Sequence, residues 1–253
     1  AEGLPVLFIK DLPPVSTVSL KLTRPQIYYG ELTESYVFVG TGQKEFDYPS
    51  GETNIYTNYS GRGGVAIGSF WRRALFAWQM GSLKILLAND LAGSARILYK
   101  RNITERARTA LPFLDFDPDP YLVLTDAGQL KWMLDAYTSS ANYPYSQRTS
   151  AGASYLRNSV KVVIDAYDGT VDAYIADAKD ALVRTYALIF PGIFKPMSAM
   201  PADVRRHVRY PGELFRIQAA MQATYHMVQP ETFYHREDQW QIPEGPKRER
   251  ATH

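Results

Sequence analysis

The spacing of apolar positions divides the chain into stretches of different period. Up to about residue 60 the pattern is extended, with β-branched and aromatic runs at Gln26–Glu31 and Tyr36–Gly40 bounded by Gly and Pro. Phe46-Asp47-Tyr48-Pro49-Ser50-Gly51 is turn-rich and is expected to be irregular. From Ser69 the period becomes helical: Phe70, Ala74 and Trp78 fall on one line, Trp71 and Leu75 beside it, and Arg72 and Arg73 take the other face. Gly81 ends this helix and Leu83–Ala88 resumes one. Asn102 with Glu105 three residues later predicts a capped helix to about Leu111. Pro112 and the run Asp115–Pro120 stop it.

Two hairpins follow. The first pairs Tyr121–Leu124 with Leu130–Leu134 around Asp126-Ala127-Gly128, and the second pairs Val160–Asp165 with Val171–Ile175 around Asp168-Gly169. Each contains Asp-Ala-Tyr, at 135–137 and 165–167, a likeness too short to define a repeat. Thr138–Ala153, rich in Ser, Asn and Tyr, forms a long loop between them. The C-terminal third is expected to be helical, with starts at Asp177/Asp180, Pro201 and Pro211. In the last of these helices Leu214, Ile217, Met221 and Tyr225 line one face. The order predicts an α+β fold of antiparallel hairpins packed with helices, over a single domain at 1–243 and a charged, flexible tail at 244–253.

Composition narrows the function classes. The 253 residues are 45% hydrophobic and 21% charged, enough for a sizeable core. A net charge of +2 creates no strong field toward nucleic acid or a membrane surface. The absence of cysteine removes disulfides, thiolate metal sites and thiol nucleophiles. No apolar run approaches the roughly 20 residues of a membrane span, and Ala1–Pro5 lacks the charged and apolar regions of a signal peptide. The sequence suggests a soluble protein or a soluble piece of something larger, with no cofactor, nucleic-acid partner or membrane insertion of its own.

Several groups of residues could carry chemistry. Arg62, Gly63 and Gly64, ahead of the helix near Ser69, could cradle an anion with help from Arg72 and Arg73, or be a plain turn. Asp115, Asp117 and Asp119 alternate as in calcium loops, but Pro118 and Pro120 break the pattern, leaving a rigid connector as the simpler account. His207, His226 and His235 lack metal-site spacing, so no metal ligands are assigned. No serine nucleophile motif is present, so no catalytic residues are assigned. Asp135, Asp165 and Asp168, expected at strand ends, are the candidates for paired-carboxylate hydrolysis, against the simpler role of bonding turn backbone. Asn142, Tyr143 and Tyr145 have the composition of a recognition surface.

A wider set of peptides carries a resemblance. Ile27-Tyr28-Tyr29-Gly30-Glu31, Phe46–Gly51, Asp119-Pro120-Tyr121, Asp135–Thr138 and Tyr143-Pro144-Tyr145-Ser146 occur in order. They continue through Tyr155–Lys161, Val163–Thr170, Phe190-Pro191-Gly192, Met200-Pro201-Ala202, Arg209-Tyr210-Pro211 and Phe233-Tyr234 with Arg236-Glu237-Asp238 and Trp240. In that order they resemble the large soluble region of uncharacterised protein family 0182, bacterial integral membrane proteins. The likeness covers nearly the whole chain; His235 departs from the family pattern, which has Asn there. The resemblance implies topology: a block of transmembrane helices in the parent, followed by a large portion on the extracytoplasmic side of a bacterial cell membrane. It supplies no catalytic residues. The expected role is a non-catalytic binding module contacting the rest of its parent or another envelope component. The alternatives are an Asp-based envelope hydrolase and a substrate-capture domain of a transporter.

Overall fold

The computed structural model describes residues 7–11, 13–88, 91, 93–149 and 151–243. The expected tail, 244–253, and Ala1–Pro5 lie outside them.

Four 11- to 4-residue strands in sequence order build the centre: β9 (Tyr121–Leu124), β10 (Leu130–Ser140), β11 (Tyr155–Asp165) and β12 (Val171–Ile175), all antiparallel. β8 (Asp115–Phe116) pairs with β10 beyond the end of β9, and β13 (Phe194–Pro196) closes the other edge in parallel with β12. Both predicted hairpins are present, and they join because β10 and β11 pair along their length. The connecting loop therefore shrinks to 141–154, since Thr138, Ser139 and Ser140 stay in the ladder. The two Asp-Ala-Tyr sites are not equivalent: the first lies within β10, the second at the β11–β12 turn.

The sheet is covered on both faces, which is why its strands read as near-continuous apolar runs. Trp132, Leu134, Ala136, Val160, Val162 and Ile164 face a core completed by Ile103 and Ala107 of α3 (Ile103–Ala110) and Val183 of α4 (Ala181–Ile189). Met133, Val163 and Tyr174 face the other way, toward Met200 and, on α5 (Ala202–Arg205), Val204. The caps explain the helix starts. Asn102 accepts the N–H of Glu105, and Asp180 accepts those of Leu182 and Val183.

The N-terminal part packs on the first face through Tyr29, Val39 and Leu98. It contains the pair β1 (Ile9–Lys10) and β2 (Val15–Ser16), and a three-stranded sheet of β3 (Val37–Val39), β7 (Arg96–Leu98) and β6 (Val65–Ala66). Helices α1 (Phe70–Gln79) and α2 (Lys84–Leu87) are separated by Gly81 at φ +63°. Gln26–Glu31 is not a strand: the N–H groups of Tyr28 and Tyr29 both donate to the Ala166 carbonyl, so its backbone bonds to a turn instead of a ladder. Phe46–Ser50 is a strand with one irregularity: β4 (Glu45–Ser50) pairs with β5 (Thr53–Thr57) with a register shift between Phe46 and Tyr48, and Pro49 is tolerated because among the described residues β4 has no other neighbour.

The C-terminal third is helical apart from β13, ending in α6 (Gly212–Tyr225) and α7 (Pro230–His235). The face of α6 lined by Leu214, Ile217, Met221 and Tyr225 runs from half-buried at its first two residues to exposed at its last two. Only Ala223 is buried, and Met221 and Tyr225 are exposed.

Candidate functional site

The turn between β11 and β12 gathers more side-chain bonds than any feature predicted from sequence. Asp165 caps it, accepting the N–H groups of Tyr167 (2.8 Å) and Asp168 (2.7 Å) and pairing with Lys131. Burial alone would raise the Asp165 carboxyl, but Lys131 and the two turn N–H groups outweigh it and hold it below the ordinary range. Asp168 reaches outward, accepting the Tyr59 hydroxyl at 2.9 Å and the Arg62 N–H at 3.0 Å. The Tyr59 oxygen accepts the Gly63 N–H in turn, while Arg96 donates to the carbonyls of Arg62, Gly63 and Gly64.

This geometry revises the reading of Arg62-Gly63-Gly64 as an anion cradle at a helix N-terminus. β6, Ile67, Gly68 and Ser69 intervene before α1, so the loop is not a helix entry. The chain's own Asp168 occupies the anion's place. Glycine is required here for close approach: a Cβ on Gly61 would lie 2.0 Å from the Asp168 carboxylate, and one on Gly63 2.3 Å from its carbonyl oxygen.

Around the turn the tyrosines stack. The Tyr59 and Tyr167 rings lie 4.9 Å apart, nearly parallel, with Arg24 4.2 Å over Tyr167. Burial first, and the acceptors Glu45 and Asp168 second, push the Tyr28 and Tyr59 phenols far up, so both stay protonated donors. Arg24, Gln26, Asp165 and Asp168 line a cavity of about 40 Å³. It suits a few waters, whereas ligand pockets run to hundreds of Å³. An open hollow of about 540 Å³ lies along α6, walled by Ala220, Ala223, Trp240 and Ile242, and no titratable side chain lines it.

Asp135 lies elsewhere. It sits within β10, not at a strand end, and bonds no turn; its carboxylate pairs with Lys161, directly opposite on β11. Burial raises this carboxyl, and Lys161 only partly offsets it. Lys161 also donates to the Arg209 carbonyl at 3.0 Å. Asp165 stands opposite Lys131, four ladder positions from Asp135, a separation of about 13 Å at the usual strand rise. Facing carboxylates for glycoside hydrolysis need roughly 5 to 10 Å.

The other clusters resolve in the same way. Asp117 is buried and accepts from the Tyr137 hydroxyl and the N–H groups of Asp119 and Glu213, while Asp115 accepts from Ser139. His226 stacks on Trp240 at 3.8 Å. Among the described residues no three His, Asp or Glu side chains converge as a metal ion requires.

Asn142, Tyr143 and Tyr145 stand at the tip of the β10–β11 hairpin. The N–H groups of Asn142 and Tyr143 donate to Ser140 and Ser154 hydroxyls, and Tyr145, at φ +56°, is fully exposed. The structure thus brings Arg62, Gly63, Gly64 and Asp165 to one turn and leaves Asp135 and the tip apart. Sequence reasoning missed Lys131 and Lys161, although each stands four residues before an Asp-Ala-Tyr. It also missed the depth of the Asp180 site, where a buried carboxylate accepts the hydroxyls of Thr138, Tyr155 and Ser159.

Fold and sites together define an α+β region whose buried carboxylates are bonded into its own framework. The chain belongs to the uncharacterised protein family UPF0182, whose model matches residues 1–252. It is 56% identical over 242 residues to a UPF0182 protein of Geobacter sp. (strain M21), covering 96% of this chain and 27% of that protein. The corresponding protein of Geobacter sulfurreducens is 55% identical with the same coverage, and one from Pelotomaculum thermopropionicum is 51% identical. The chain therefore spans about a quarter of the length of the curated relatives it matches. No solved structure matches it.

Proposed function

We propose that this chain is the extracytoplasmic, non-catalytic interaction region of a larger bacterial membrane protein, and that it docks on the remainder of its own polypeptide. One observation carries the docking: Met221 and Tyr225, one turn apart on α6, are both exposed, and so is Val228 just beyond the helix, while Ala223 is the one residue of α6 that is buried. Large apolar side chains grouped on one side of a protein mark a surface meant to be covered. A candidate cover exists in the same polypeptide, because relatives of this chain are nearly four times as long.

The location rests on the peptide resemblance, and it agrees with the chain's lack of cysteine. No helix among the described residues is long and apolar enough to cross a membrane, so in this reading the spans lie elsewhere in the parent. Hydrolysis is disfavoured because Asp135 and Asp165 are ion-paired and too far apart. Capture of a substrate is disfavoured because the polar cavity is too small, and the larger hollow along α6 is open and has no charged side chain in its lining.

The test is association of the tagged chain with the remainder of the parent, produced separately in detergent. Met221→Asp with Tyr225→Asp should weaken it by about tenfold or more, as expected when anchors at an interface centre are lost. No association, or association unchanged by the pair, counts against the docking.

A further inference from the structure

A second exposed face, on α1 and α2, differs from α6 in its charge. Trp71, Leu75 and Trp78 recur at helical spacing along the outside of α1, with Trp71 76% and Trp78 84% exposed. Leu83, at the start of α2, and Leu87, at its end, are also largely exposed. Only Ala77 and Ile85 of the two helices are buried. Of the periodicity read from sequence, the polar side therefore does not face solvent alone: Arg73 turns inward to the Ala88 carbonyl.

Between Glu52 and Asp90 the chain has no acidic residue, while it has Arg62, Arg72, Arg73 and Lys84. In a chain with 28 basic and 26 acidic residues this is local segregation of charge. Exposed Trp and Leu side chains that share two helices with the exposed Arg72 and Lys84, and with no acidic residue in either helix, match the chemistry of the boundary between acyl chains and anionic headgroups. Indole rings settle there with the N–H hydrated, and Lys or Arg beside them pair with phosphate.

We propose that the α1–α2 face is a peripheral contact with an anionic lipid surface, lying at headgroup depth without spanning. This goes beyond the α6 docking and stands on different residues, so either can fail alone.

The experiment is sedimentation of the 253-residue chain with vesicles of phosphatidylcholine, with and without phosphatidylglycerol. Binding should require the anionic lipid, weaken with salt, and shift Trp emission to the blue. Trp71→Ser with Trp78→Ser should lower affinity about tenfold or more, and Arg72→Glu with Lys84→Glu should remove the preference for anionic lipid. These side chains are exposed, so the variants should keep the parent circular dichroism. Leu188→Ser, exposed on α4, is the control and should bind as the parent does. The proposal is overturned if neither vesicle is bound, or if the Trp pair leaves binding unchanged. It is also overturned if the same pair instead dissolves a dimer of the chain in solution, which would make the occupant a second copy.

Discussion

Asp135 and Lys161 face each other across β10 and β11 as an ion pair with side chains only 6% and 7% exposed. Four positions along the same ladder Lys131 faces Asp165, so the order of charge is reversed between the two pairs. A slip of four residues would set Lys against Lys or Asp against Asp. The pairs thus specify register in a sheet whose apolar residues, present on both faces, specify it less sharply.

Removing one partner should cost far more than removing both. Lys161→Met leaves a buried carboxylate alone and should lower stability by about 3 to 5 kcal/mol. Adding Asp135→Leu should recover much of that loss. Urea unfolding of the two variants checks it, and a single-variant cost well below 1 kcal/mol would show the pair to be solvated.

The Asp180 carboxyl gives acid sensitivity of a defined sign. Burial alone would raise it, but the hydroxyls of Thr138, Tyr155 and Ser159 and the Leu182 N–H outweigh that and bring it below the ordinary 3.8. Its contribution is fully present above that value and is lost as pH falls through the lower folded one. Asp180→Asn should therefore flatten the acid limb of the stability profile below 3.8, measured by thermal melts across pH. Asp135 has the opposite sign: burial raises it, so its contribution falls as pH rises through the elevated value.

Two glycines with similar backbone angles should respond differently to Ala. Gly169 (φ +68°) would place its methyl 2.4 Å from the Tyr29 ring, whereas Gly51 (φ +61°) opens to empty space. Gly51→Ala should cost about 1 kcal/mol of backbone strain alone, and Gly169→Ala about 3 kcal/mol or more. Equal costs in chemical denaturation would mean that the Tyr29 contact yields freely.

Tyr145 holds a left-handed conformation while fully exposed. Tyr145→Gly should relieve that strain and raise stability by about 0.5 to 1 kcal/mol. A loss of stability would show that the ring packs on the hairpin in solution.

Much of this architecture was legible in the chain. The caps at Asn102 and Asp180, the Gly81 break and both hairpins follow from local backbone chemistry, which acts within a few residues. Gln26–Glu31 was misread because an aromatic run has the same composition whether its N–H groups meet a neighbouring strand or the Ala166 carbonyl. The α6 stripe was legible as a pattern, but its exposure at Met221 and Tyr225 was not, since periodicity does not say what lies opposite. Arg62-Gly63-Gly64 looked like a ligand loop because close backbone approach selects glycine whether the approaching group is a ligand or Asp168.

Because these 253 residues contain no cysteine, single-cysteine labelling in a parent freed of any cysteine elsewhere is the most direct test of an extracytoplasmic docking region. Tyr145→Cys and Met221→Cys would each be placed in the full-length protein and treated with a membrane-impermeant maleimide on intact cells. The Tyr145→Cys variant should label rapidly, and the Met221→Cys variant only after denaturation. Silence of the Tyr145→Cys variant until lysis, or equal labelling of both on intact cells, would contradict an extracytoplasmic docking region.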